Sequence, residues 1–155
     1  MTKVIKLVMV TEEKPERKCK PKEDIKNLLD KDALHHTLEA IYDPPNPGES
    51  ESNCHNISMG LMTDLMINGL SAGYKLITTR NIGWDHSWLE CEGWSIDAST
   101  ILKDPNKPEG EYWILFGDAF DYRKRLGIRN LHIKRQLTDK EFAVWIKKYN
   151  KSKVH

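Results

Sequence analysis

The sequence predicts an α+β domain over residues 1–155, with a central helix packed on a mostly antiparallel sheet and flanked by further helices. Three observations predict it. An apolar stripe of Ile57, Leu61, Met62, Leu65 and Met66 recurs at helical spacing. Short segments rich in β-branched and aromatic residues follow it, at 74–80, 85–97, 111–117 and 131–136. Helical and strand segments are largely segregated rather than alternating, which separates α+β from α/β. A chain of 155 residues has the size of one domain. It can bury about 70% of the surface its unfolded form exposes, so it needs no covalent staples.

The elements are expected in this order. Val-Ile-Lys-Leu-Val-Met-Val (4–10) is a strand, and the polar, proline-bearing stretch 11–24 is a loop. Residues 25–42 carry Ile25, Leu28, Leu29, Ala33, Leu38 and Ile41 at roughly helical spacing. Asp43-Pro-Pro-Asn-Pro-Gly-Glu-Ser50 stops that helix as a rigid loop. Ser52 and Asn53 are suitable caps for a buried amphipathic helix over 54–68, which places Cys54 in its first turn, and Gly69 ends it. Tyr74–Arg80 is a strand, 85–97 a hairpin and 111–117 another strand. Residues 118–127 read as a short helix closed by Gly127, and 131–136 as a last strand. Thr138 and Glu141 form a capping box that opens a final helix through Tyr149.

The hairpin carries the most information. Glu92-Gly93 suits a two-residue turn, which sets Cys91 opposite Trp94, Glu90 opposite Ser95 and Leu89 opposite Ile96. Side chains alternate along each strand. One face then holds Leu89, Cys91, Trp94, Ile96 and Ala98, and the other His86, Trp88, Glu90, Ser95, Asp97 and Ser99. His86 and Asp97 become diagonal neighbours with Cα atoms about 7–8 Å apart, within reach of an imidazole–carboxylate hydrogen bond. A half-buried structural hairpin would show the same alternation.

Cys54 offers a nucleophile. A thiol reacts as thiolate, and a helix start together with an imidazolium lowers its pKa. If the helix start packs on the polar face of the hairpin, His86 serves the thiol and Asp97 orients the imidazole. Taken alone, Cys54 is also what a small buried apolar residue looks like. Cys91 falls on the apolar face and reads as structural, while Cys19 lies in a charged stretch. His55 points elsewhere on the helix and makes a poor base; His35 and His36 read as surface residues. Trp84 and Trp88 either line a substrate channel beside His86 or cover it from water. No CxxC or HExxH is present, so no metal or other cofactor is expected.

Composition bears on partners. Lys and Arg total 24 and Asp and Glu 23, a net charge of +1, which gives no support for nucleic acid or an anionic membrane. Three cysteines without scaffold spacing suit a reducing compartment. The amino-terminal apolar run is short and broken, unlike a signal peptide, and no apolar run is long enough to span a bilayer. A cytoplasmic protein, or one delivered elsewhere, is the expectation.

The order Cys54, then His86-Ser-Trp-Leu-Glu, then Gly93-Trp94-Ser95-Ile96-Asp97 resembles the transglutaminase-like branch of the papain-like cysteine enzymes. It is also similar to arylamine acetyltransferases and to bacterial effector proteases and deamidases of papain-like fold. The likeness covers residues 50–100, about a third of the chain. It implies a thiol protease, amidase, deamidase or transglutaminase acting on protein or peptide amides, with Cys54 as nucleophile, His86 as acid and base and Asp97 as orienter. Asn53 and the Cys54 N–H are the candidates for an oxyanion site. The alternative is a non-catalytic protein-binding module on the same fold.

Overall fold

The computed structural model describes residues 6–11, 18–42, 50–80, 85–98 and 110–153, with backbone alone for 50–53, 149 and 151–153. Alternation along the strands builds a six-stranded mixed sheet with a layer on each face. Its strands are β1 (Lys6–Thr11), β2 (Tyr74–Thr79), β3 (His86–Cys91), β4 (Trp94–Asp97), β5 (Glu111–Asp118) and β6 (Ile133–Thr138). They lie in the order β1-β5-β4-β3-β2-β6. The sheet is antiparallel apart from β1, which runs parallel to β5. The helices are α1 (Lys20–Asp30), α2 (His35–Tyr42), α3 (Ser50–Ile67), α4 (Ala119–Arg125) and α5 (Asp139–Lys153), with a 3-10 turn at Asn130–His132. The α+β class and the mostly antiparallel sheet agree with the sequence reading.

Three boundaries differ from expectation. Part of the expected 11–24 loop is helical, because α1 starts at Lys20 with Pro21 in its first turn, where proline lacks no needed N–H. The expected helix over 25–42 is two helices. Asp32 takes a left-handed φ of 54°, and Ala33 N–H donates back to Leu28 C=O at 2.8 Å, closing α1. The central helix begins at Ser50, four residues before the expected start. Cys54 therefore sits in its second turn, beyond the first-turn N–H groups that concentrate the helix dipole.

Helix α3 is buried on two sides rather than amphipathic. Ile57, Leu61, Met62 and Leu65 join Leu76, Leu89, Trp94, Ile96, Ile114 and Phe116 of the sheet in one core, which also takes Ile25 and Leu28 of α1 and Phe142 of α5. Its other side receives α2. Buried Asp64 accepts from the N–H groups of His36 (3.1 Å) and Thr37 (2.9 Å) and from the Thr37 hydroxyl (2.7 Å), so a residue of α3 caps α2. A smaller core of Ile77, Trp88, Tyr122 and Ile128 fills the opposite face of the sheet beneath α4. The Thr138–Glu141 capping box forms as read, with Glu141 N–H donating to Thr138 Oγ1 at 3.3 Å.

Gly60 lets α2 and α3 touch. A Cβ there would lie 2.6 Å from the His36 carbonyl oxygen, a backbone atom. Gly60→Ala is expected to lower stability by about 1–3 kcal/mol, although alanine favours helix intrinsically. Urea unfolding of the two proteins checks the sign.

Candidate active site at the start of strand β3

The turn at Glu92-Gly93 forms with both residues left-handed, φ 50° and 79°, the requirement of a two-residue type I′ hairpin. The expected pairs follow: Cys91 with Trp94, Glu90 with Ser95, Leu89 with Ile96. His86 and Asp97 thus share a face, and His86 Nε2 lies 3.1 Å from Asp97 Oδ2. Both are almost wholly buried.

Tyr122 of α4 completes this cluster. Its oxygen is 2.8 Å from His86 Nε2, and its hydroxyl donates to Asp97 Oδ2. The network assigns the imidazole proton to Nε2, facing the carboxylate and the phenol oxygen, and leaves Nδ1 as the basic nitrogen. Burial first, then the nearby Asp97 charge, pushes the Tyr122 hydroxyl pKa well up, so it stays a donor. Trp88 stacks on His86 with ring centroids 5.4 Å apart and meets Tyr122 at 5.3 Å. Its indole N–H donates to Glu90, which Arg123 of α4 grips through two 2.7 Å bonds. Trp88 is wholly buried against the His86 ring.

Cys54 reaches the same stretch of chain from the other layer. Helix α3 packs on the apolar face of the hairpin, not on the polar face. The thiol meets β3 at its first residues, with Sγ 3.9 Å from the Asp85 carbonyl oxygen. Burial pushes its pKa up to about 11; main-chain hydrogen bonding at Ser87 opposes this, and the Asp97 charge adds to it. The thiol is therefore protonated at neutral pH, contrary to the low pKa expected at a helix start. Asn53 is described by its backbone alone, inside α3, and Trp84 lies outside the described residues, as do the expected loop 43–49 and Ser99.

Two residues escaped the sequence reading. Nothing in the sequence singled out Tyr122, which the structure buries with Ala119 on α4. His55, read as a poor base, has a partner of its own. Its Nδ1 bonds the Ser87 hydroxyl, which lies 3.0 Å from Thr78 Oγ1. Burial, the largest cause, lowers the His55 pKa. These three side chains floor a cavity of about 290 Å³ between α3, β2, β3, β6 and α5. His36, read as a surface residue, is half-exposed, and its Nδ1 lies 2.8 Å from Asp64 Oδ1. Cys91 lies in the main core.

Among the described residues no cluster of His, Cys, Asp and Glu has the arrangement of a metal site, and no helix is long and apolar enough to cross a membrane.

The raised thiols have a consequence for stability. Cys54 and Cys91 both move from an ordinary 9.0 to about 11, Cys91 also chiefly through burial. A group whose folded pKa is raised stabilises fully below its unfolded pKa and loses that contribution as pH rises through the folded value. The urea midpoint is therefore expected to fall between pH 9.0 and about 11, and Cys54→Ala to flatten part of that fall. A flat midpoint across this window would show that burial does not hold the thiols protonated.

No protein-family model, no curated protein and no solved structure matches this chain.

Proposed function

We propose that this chain is a cysteine-dependent acyl-transfer enzyme of papain-like, transglutaminase-like type, with Cys54 as nucleophile, His86 as general base and acid, and Asp97 with Tyr122 as orienters. The observation that carries the reading is the buried His86–Asp97 hydrogen bond on the three-residue stretch, 85–87, that the Cys54 thiol touches. A helix-borne thiol, an imidazole and a carboxylate in that chain order match the residue types the chemistry needs.

With the thiol raised toward its protonated form, its proton moves together with the attack in this reading. Sγ attacks the carbonyl carbon of an amide while its proton passes to His86 Nδ1. Asp97 and the Tyr122 oxygen stabilise the imidazolium through Nε2–H. The C–N bond then breaks, His86 returns the proton to the departing amine, and a thioester remains on Cys54. Water, losing its proton to His86, attacks the thioester to give an acid and the free thiol; an amine in its place gives a new amide. The substrate is accordingly a peptide bond or a glutamine carboxamide of a protein. The products separate the choices: ammonia from a blocked glutaminyl-glycine indicates side-chain chemistry, and free glycine indicates peptide cleavage.

p-Nitrophenyl acetate tests the nucleophile without a known substrate. The reading expects a p-nitrophenolate burst near one equivalent per chain and an acetyl adduct on Cys54 by peptide mass mapping. Cys54→Ala abolishes both, and His86→Ala slows the burst by roughly 10²–10⁴-fold. Acetylation spread evenly over Cys19, Cys54 and Cys91, or indifferent to His86, sinks the reading. A second reading, a non-catalytic protein-binding module, draws support from the protonated thiol and the complete burial of the His86 ring.

A further inference from the structure

The cavity lined by His55 and Ser87 has the chemistry of a ligand site in its own right. Its floor is polar and mutually bonded, from Thr78 through Ser87 to His55. Its apolar wall is Met59, Leu76 and Trp145. Its rim carries Asp85, Lys134 and Arg135. Lys134 and Arg135 neighbour one another on β6, and Asp85 immediately precedes β3.

The three rim charges are uncommitted. Among the described residues, none of them makes an ion pair with another or with any third residue. The Arg135 guanidinium lies over the Trp145 ring, 5.0 Å from its centroid. All three charges act on His55, so all three lie around one spot. Two unspent cations and one unspent carboxylate lining a partly apolar cavity complement a ligand that bears both charges on a small body. A volume of about 290 Å³ has room for roughly ten waters at liquid density, which is amino-acid size.

We propose that this cavity binds a free apolar α-amino acid, its carboxylate held by Lys134 and Arg135, its ammonium by Asp85, and its side chain against Met59, Leu76 and Trp145. The inference goes beyond acyl transfer and does not require it.

Nuclear magnetic resonance titration of the full chain with L-leucine tests it, read at the Trp145 indole N–H and assigned with Trp145→Phe. L-Leucine is expected to shift that signal saturably. Leucinamide, lacking the carboxylate, and N-acetyl-leucine, lacking the ammonium, are each expected to bind at least about fivefold more weakly. Lys134→Gln, at an exposed position, weakens L-leucine and erases its advantage over leucinamide; Asp85→Asn erases its advantage over N-acetyl-leucine. Cys54→Ala binds L-leucine as the parent does, which separates this site from the fate of the thiol chemistry. The proposal is overturned if L-leucine gives no saturable shift, if either derivative binds as well as L-leucine, or if inorganic phosphate moves the Trp145 signal equally.

Discussion

Alternation along β3 divides this molecule, and everything near the site depends on it. Successive residues of a strand face opposite ways, so a slip of one residue would exchange the two faces. Leu89 and Cys91 go to the core under α3, and His86 and Trp88 go to the layer under α4. The left-handed pair Glu92-Gly93 fixes that register, since only a two-residue turn sets Leu89 against Ile96 and leaves Asp97 diagonal to His86. With Trp94, Ile96 and Leu89 buried on one side, a slipped pairing would expose about three large apolar side chains at roughly 1.5–3 kcal/mol each. The apolar face thus sets the geometry of the polar one.

Burial then decides the chemistry of what it encloses. A buried imidazole or carboxylate is costly unless hydrogen-bonded, and His86, Asp97 and Tyr122 meet that cost together. Cys54 shows the opposite balance. Main-chain hydrogen bonding at Ser87 favours its thiolate, but desolvation is the larger effect and the Asp97 charge reinforces it. The thiol can give up its proton readily only to a base beside it.

Legibility of the sequence tracked the range of the interactions. The hairpin, its register, the His86–Asp97 diagonal and the Thr138–Glu141 cap were legible, because turn chemistry and alternation act over a few residues. The break between α1 and α2 was not. It rests on Asp32 adopting a left-handed backbone and on Asp64, 27 residues from Thr37, capping the second helix. The start of α3 was misplaced because Ser52 and Asn53 resemble caps whether or not a helix already runs through them. Tyr122 lies 25 residues from Asp97, and no local pattern joins a phenol on a short helix to an acid on a strand. The parallel pairing of β1 with β5 joins residues 6–11 to 111–116, far apart in sequence, and has no local signature.

Residues 85–87 are where these threads meet. The Asp85 carbonyl accepts from Cys54, the His86 ring turns to Asp97 and Tyr122, and the Ser87 hydroxyl turns to His55 while its carbonyl accepts from Ser58 at 3.0 Å. Residues 86 and 87 are also paired with Thr79 and Thr78 of β2. Three consecutive residues so tied cannot shift independently, because moving one drags its neighbours against α3, α4 and β2 at once. The main chain of 85–87 thus ties the contacts on the two faces of the sheet to one short segment.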